Sequence, residues 1–341
     1  MSAPAFTADR YAAGNGWSFP RAFGARSILI LMGALALLFY SGQRVEAGRM
    51  LSETGTALLA KMGLADEPAA SQGLGRVIGR LVPLQLSDRQ DIARIPNFDP
   101  GHLPAFAYLE QVSTTEQALN PATLKLEARP VAHTYMVEPL GYVRHVLIKV
   151  VETLEIAFWG TLIAVLLGLP LALLSATNMM PLWPVRFAAR SVVGLLRAVP
   201  ELISALFLVI AYGFGPIAGF LALGLHGAGV LGKFFADDME NADAKPQEAL
   251  RAIGASRLAI WRMAILPQVM PHNIGSTLYI LDRNVRMATV IGLVGAGGIG
   301  QELKGRYDMY DYGHVGTILL AIFLVVLLLD QASGRLRRRF L

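Results

Sequence analysis

The residues that most suggest chemistry lie in the last third of the chain. Gly295-Ala296-Gly297-Gly298-Ile299-Gly300 satisfies G-x-G-x-x-G, follows the apolar run Val290–Val294 and precedes a polar, helix-like stretch. Between a strand and a helix, that spacing cradles a dinucleotide pyrophosphate, with an acid about 20 residues on to hold the ribose. Leu320 stands there instead, inside an apolar run of spanning type. Gly295, Gly297, Gly298 and Gly300 therefore read as a loop where backbones pack closely at the end of a span. Asp282, Arg283 and Arg286 interrupt the apolar stretch Pro271–Leu293. An ionisable residue inside a membrane is a functional-site candidate by default. The competing reading pairs the arginines with Asp282 or with Glu201, and Glu201 could also serve as a helix N-terminal acid. His226 reads as packed between helices. No P-loop G-x-x-x-x-G-K-[ST] occurs, so ATP is not hydrolysed on this chain. The absence of cysteine excludes thiol catalysis, Cys-ligated zinc and iron–sulfur clusters. No catalytic residue, metal site or cofactor is expected.

The elements that carry these residues belong in a membrane. Of 341 residues, 54% are hydrophobic and 16% charged, against about 25% charged in soluble domains. Mean hydropathy is +0.48. The net charge of +5 fits the basic excess of cytoplasmic segments rather than a nucleic-acid partner. A spanning helix needs roughly 20 apolar residues. An all-α, polytopic protein of about six spans follows: 27–42 (an uncleaved signal anchor, with a cleaved signal-peptide core as the alternative), Ile156–Ser175 with Pro170 inside, Leu202–Tyr212 with a kinked start before Pro200, Pro216–Phe235 beyond a tight GFGP turn, Pro271–Leu293, and Val315–Leu329. Tyr142–Glu155 reads as an amphipathic lead-in to the second span. Fourteen Lys and Arg flank the spans on one side, against Lys304 and Arg306 in the short loops of the other. That places both termini in the cytoplasm of a multi-pass inner-membrane protein. Residues 1–26 are then a cytoplasmic N-terminus, 43–150 an external loop, and 151–341 a core of five spans. The external loop carries turn chemistry at Ile95–Leu103 and no legible function.

The longest cytoplasmic loop, 236–267, opens on the acidic run Asp237–Glu240. Pro246, Gln247 and Glu248 suit the first turn of a short helix, Gly254 makes an elbow, and Ser256 caps a second helix that ends at Pro267. This stretch resembles the EAA loop of ABC-importer permeases. Glu248-Ala249-Leu250 is followed at the family's spacing by Gly254 and Leu266-Pro267, with Leu250 and Ala264 as apolar departures from the pattern.

The C-terminal half is similar to the permease subunits of phosphonate and phosphite importers, through Gly215–Asp237, Glu248–Arg257, Ile265–Pro271 and Asn284–Leu303. The resemblance implies a type I ABC importer permease of MetI-like fold. It implies a second permease copy, identical or not, a cytoplasmic ATPase dimer carrying ATP and Mg, an external or periplasmic phosphonate-binding protein, and a surrounding lipid bilayer. Glu248, Ala249, Leu250, Gly254, Leu266 and Pro267 would couple to the ATPase. Arg286, Arg283, Glu201 and Asn284 would line the path of the anion. Three alternatives stay open. A permease for another small solute keeps the class. An ion-coupled secondary transporter requires inverted repeats and midplane acids, and no internal repeat is visible. A membrane scaffold leaves the loop unexplained.

Overall fold

The computed structural model describes residues 25–61, 69–96, 98–104, 106–119 and 126–340. Most of the expected N-terminal segment, with Arg10 and Arg21, lies outside them. The chain divides into two compact units, 1–78 and 79–341. The first holds α1 (Ala25–Arg44), α2 (Ala47–Lys61) and most of α3 (Ala69–Leu81). Apolar side chains from Ile28 to Phe39 are exposed all round α1, as a helix in lipid requires.

The second unit holds a sheet where the sequence predicts an external loop. β1 (Asp88–Asp91), β2 (Tyr108–Leu119) and β3 (Leu126–Glu138) form an antiparallel sheet in the order β1-β3-β2. Tyr108 pairs with Val137 and Leu119 with Leu126. The permease core after it is helical throughout, as expected. α4 (Gly141–Ser175) has 35 residues, so the lead-in and the second span are one helix. α5 (Trp183–Ala198) and α6 (Glu201–Tyr212) meet at 89°. The expected kink is a corner, because proline drives the residue before it out of the helical region, and Val199 is extended at φ −80, ψ 120. α7 (Pro216–Asn241) follows the GFGP turn, where Gly213 and Gly215 have φ of +88 and +141.

α7 packs on α4 through two ladders of small residues spaced by four. Gly160, Ala164, Gly168 and Ala172 face Gly224, Ala228 and Gly232. A Cβ on Gly160 would meet Leu223 at 2.9 Å, and one on Gly168 would meet the backbone N of Gly232 at 3.2 Å. Small residues let helix backbones approach in this way.

The remaining elements are α8 (Ala244–Ala252), α9 (Arg257–Ile260), a π-turn (Trp261–Ile265), α10 (Leu266–Gly292), α11 (Gly298–Asp308) and α12 (Tyr312–Phe340). Among the described residues four helices are long and apolar enough to cross a membrane, or five if α5 and α6 form one bent span. α10 has the length, with 27 residues, but Asp282, Arg283 and Arg286 lower its apolar content.

Candidate functional site

The loop between α7 and α10 starts later and ends differently from the sequence expectation. α7 runs to Asn241, so Asp237–Glu240 form its last turn. Asp243 caps α8, its side chain accepting from Lys245 N at 3.0 Å. Gly254 turns the chain at φ +78, with its N–H on Arg251 O at 3.0 Å. Ser256 then caps α9, accepting from Ala259 N at 3.3 Å. Pro267 does not end a helix. It sits in the first turn of α10, where its missing N–H leaves no bond unmade, and the π-turn carries the chain into it. Gln268 ties the two ends together: its Oε1 accepts from Asp243 N at 2.9 Å and its Nε2 donates to Ala264 O at 2.6 Å. The sequence reading passed over Gln268.

Glu248 and Ala249 are exposed, and Leu250 and Leu266 half-buried. Because Asp243 supplies the cap, Glu248 is left without a hydrogen bond or ion pair among the described residues. Ile253, Leu258 and Met263 are 78%, 71% and 69% exposed. A free carboxylate beside an exposed apolar tip is a surface shaped for a partner.

The charged residues of α10 are paired. Arg283 Nη2 bonds Glu201 Oε1 and lies 3.2 Å from His226 Nε2. His226 Nδ1 is 3.0 Å from Val199 O. A carbonyl only accepts, so Nδ1 carries the hydrogen and Nε2 accepts from Arg283. Pro200 helps to set this up: the corner it makes frees Val199 O and places Glu201 at the start of α6. Arg286 pairs with Asp282 at 2.7 Å, with the carboxylate buried and the guanidinium side chain 44% exposed. Asn284 is buried and donates to Thr161 Oγ1 at 2.9 Å, so it joins α10 to α4.

The glycine-rich loop is a packing node. Gly295, Gly297 and Gly298 have φ of +93, +85 and +71. A Cβ on Gly297 would meet Pro216 N at 2.9 Å, and one on Gly300 would strike Thr289 O. The N–H groups that would greet a phosphate are occupied by the protein: Gly298 N bonds Glu152 Oε1 at 2.9 Å and Ile299 N bonds Thr153 Oγ1 at 2.8 Å.

A second polar cluster went unread in the sequence. Glu302 on α11 accepts from Arg306 Nε at 2.9 Å and Tyr142 Oη at 3.3 Å, and pairs with His145 at 3.2 Å. Burial pushes the Glu302 carboxyl up, but the hydrogen bonds from Arg306 and His145 outweigh it and hold the carboxyl below its ordinary range. Arg306 also bonds Asp311 at 3.2 Å, and Asp311 meets His314 at 2.6 Å. The available signal was the spacing of Glu302 and Arg306, four apart on one helix.

Residues 168–340 match the family described as binding-protein-dependent transport system inner membrane component. The chain is 51% identical over 259 residues to a putative phosphite transport system permease protein of Stutzerimonas stutzeri, spanning 76% of this chain and 99% of that one. It is 45% identical over 190 residues to a phosphite transport system permease protein of the same organism, spanning 56% and 69%. The inward-facing methionine ABC transporter matches in fold at TM-score 0.50 and 22% identity, over 57% of this chain and 96% of that one.

Proposed function

Because the chain belongs to the family of binding-protein-dependent inner-membrane transport components, as an ABC-importer permease of MetI-like fold, we propose that it forms the path of an ATP-driven importer for phosphonate- or phosphite-type anions. The observation that carries the cargo class is the 51% identity, along nearly the full length of the relative, to a putative phosphite permease. A cytoplasmic ATPase dimer hydrolyses ATP, an external binding protein delivers the anion, and a second permease copy completes the path. Both termini face the cytoplasm.

Glu248, Ala249, Leu250, Gly254, Leu266 and Pro267 form the coupling element. The free Glu248 carboxylate sets register on the ATPase, since an exposed charge directs docking more than it adds affinity. The exposed apolar tip supplies the contact, and the Gln268 clamp passes movement into α10. Arg286 steers the anion, because its side chain is the more exposed of the two α10 guanidiniums. Arg283 holds α10 to α6.

The test is uptake of labelled methylphosphonate and phosphite into proteoliposomes holding this chain with its ATPase and binding protein. Uptake is expected to need both ATP and the binding protein. Glu248→Ala is expected to insert normally and to lose most of the ATP-driven uptake. Uptake without ATP, driven by an imposed ion gradient, would overturn the importer reading. ATPase stimulation by a binding protein loaded with a different solute would overturn the cargo.

A further inference from the structure

Behind the coupling helices lies a cavity of about 150 Å³. Its walls are the α4–α5 connection on one side, at Thr177 and Asn178, and α8, α9 and the π-turn on the other, with Gln247, Arg251, Arg257 and Ile265 among the lining residues. No carboxylate lines it. Glu240, the acid that reaches Thr177, is spent on Thr177 N at 2.6 Å and Arg190 at 2.7 Å. The Gln247 amide is spent on the carbonyls of Ala242 and Asp243. The side chains of Arg251 and Arg257 have no hydrogen bond or ion pair among the described residues.

Two guanidiniums without an ion-pair partner border one small cavity, and the free Glu248 carboxylate, three residues before Arg251 on α8, is not among its lining residues, so the cavity itself is positive. A guanidinium presents a rigid fork of donors that matches tetrahedral oxyanions. At about 30 Å³ for each water, the cavity has room for one such anion and a few waters, and too little for a peptide segment. We infer that it is a binding site for a phosphate-type oxyanion, filled from the side of the coupling loop. This deepens the importer reading and rests on it, because the transported anion is then the ligand that accumulates on that side. An anion bridging Arg251 and Arg257 to the α4–α5 connection ties the coupling helices to a fixed part of the bundle. It therefore slows the movement that uptake requires, and accumulated cargo becomes a brake.

The reconstituted complex, in vesicles of zwitterionic lipid loaded with methylphosphonate or with chloride at equal ionic strength, is assayed for ATP-driven uptake of labelled methylphosphonate. Internal methylphosphonate is expected to inhibit. Arg251→Gln and Arg257→Gln are each expected to raise the half-inhibiting concentration roughly tenfold, the loss of one charge-assisted contact. Equal inhibition in wild type and variants overturns the site. So does a variant that loses stimulated ATPase activity with its inhibition unchanged, because the arginines then belong to the ATPase contact. Repeating the assay with phosphatidylglycerol present separates free anion from lipid headgroup: inhibition that disappears assigns the site to the headgroup and overturns the brake. Complex that shows no uptake at all fails the importer reading instead. In that case equilibrium dialysis of labelled methylphosphonate against the detergent-solubilised complex still decides the site, which stands if the two variants bind less and falls if they bind equally.

Discussion

Two arginines three residues apart in one apolar helix have different situations, and the difference predicts different phenotypes. Arg283 is held by Glu201 and His226, and its side chain is 26% exposed against 9% for Glu201. Removing one partner of a buried pair leaves the other charge uncompensated, at about 3–5 kcal/mol. The partial exposure of Arg283 lowers that figure here to about 2–3 kcal/mol. Glu201→Ala should therefore lower the unfolding midpoint of the detergent-solubilised protein, and so should Arg283→Leu. The double variant should be more stable than the sum of the two losses implies, because neither charge is left alone. Simple additivity would show that the pair contributes nothing. Arg286→Leu should lower that midpoint too, because it leaves the buried Asp282 carboxylate uncompensated, but by less than Arg283→Leu, since the Arg286 side chain is 44% exposed, while uptake of the anion falls by more than the protein level. Equal losses of uptake and protein level would assign Arg286 to folding.

Among the elements, most of the spanning helices and the short helices of the α7–α10 loop were legible because their signals are local. Apolar runs, the Gly254 elbow and the Ser256 cap each depend on a few neighbouring residues. The packing of α4 on α7 was legible in principle as well. Gly160, Ala164, Gly168 and Ala172, and Gly224, Ala228 and Gly232, recur every fourth residue. Gly224→Leu should break the ladder, because even a Cβ there would lie 2.7 Å from Ile163. The expected result is loss of folded permease from the membrane, read by size-exclusion chromatography in detergent, whereas Gly194→Leu, with nothing within 4 Å, should be tolerated. Equal yields would mean that α4 and α7 do not approach as closely as described. Other features were hidden because they depend on distant residues. The sheet escaped notice because Pro130 stands inside β3, where a proline argues against a strand, and its strands are polar enough to pass for loop. The continuation of the chain through Pro267 depends on a π-turn and on Gln268 reaching across to Asp243, which no local pattern announces. The partners of Arg283 are fixed only when Pro200 turns α6 away from α5.

Across the whole second unit, the two ends of α10 meet different surroundings. Its first turn continues the α7–α10 loop, where the Glu248 carboxylate is free and Ile253, Leu258 and Met263 are exposed. Its last turn leads about 40 Å away into the glycine-rich loop, where Glu152 and Thr153 latch the start of α11. Beyond it the Glu302 cluster joins α4 to α11, and His314 bonds Ser87 O at 3.1 Å, which fastens the segment before the sheet to α12. Where Glu248 is unbonded, this cluster is cross-linked by hydrogen bonds and ion pairs. Its pH dependence can be worked out from Glu302. Burial raises the carboxyl, and the bonds and charges of Arg306 and His145 bring it below its ordinary value of 4.5. A group whose value is lowered on folding gives its full stabilisation above the ordinary value and loses it as pH falls through the lowered one. Through this group, the thermal unfolding midpoint should stay flat from about pH 8 to about pH 5.5 and decline only in more acid solution. Glu302→Gln keeps the side chain's shape but not its charge, so its midpoint should be lower at neutral pH and its acid decline shallower. An acid decline equally steep in the Gln variant would place the titrating group elsewhere and remove Glu302 as the charge that holds this end of the bundle together.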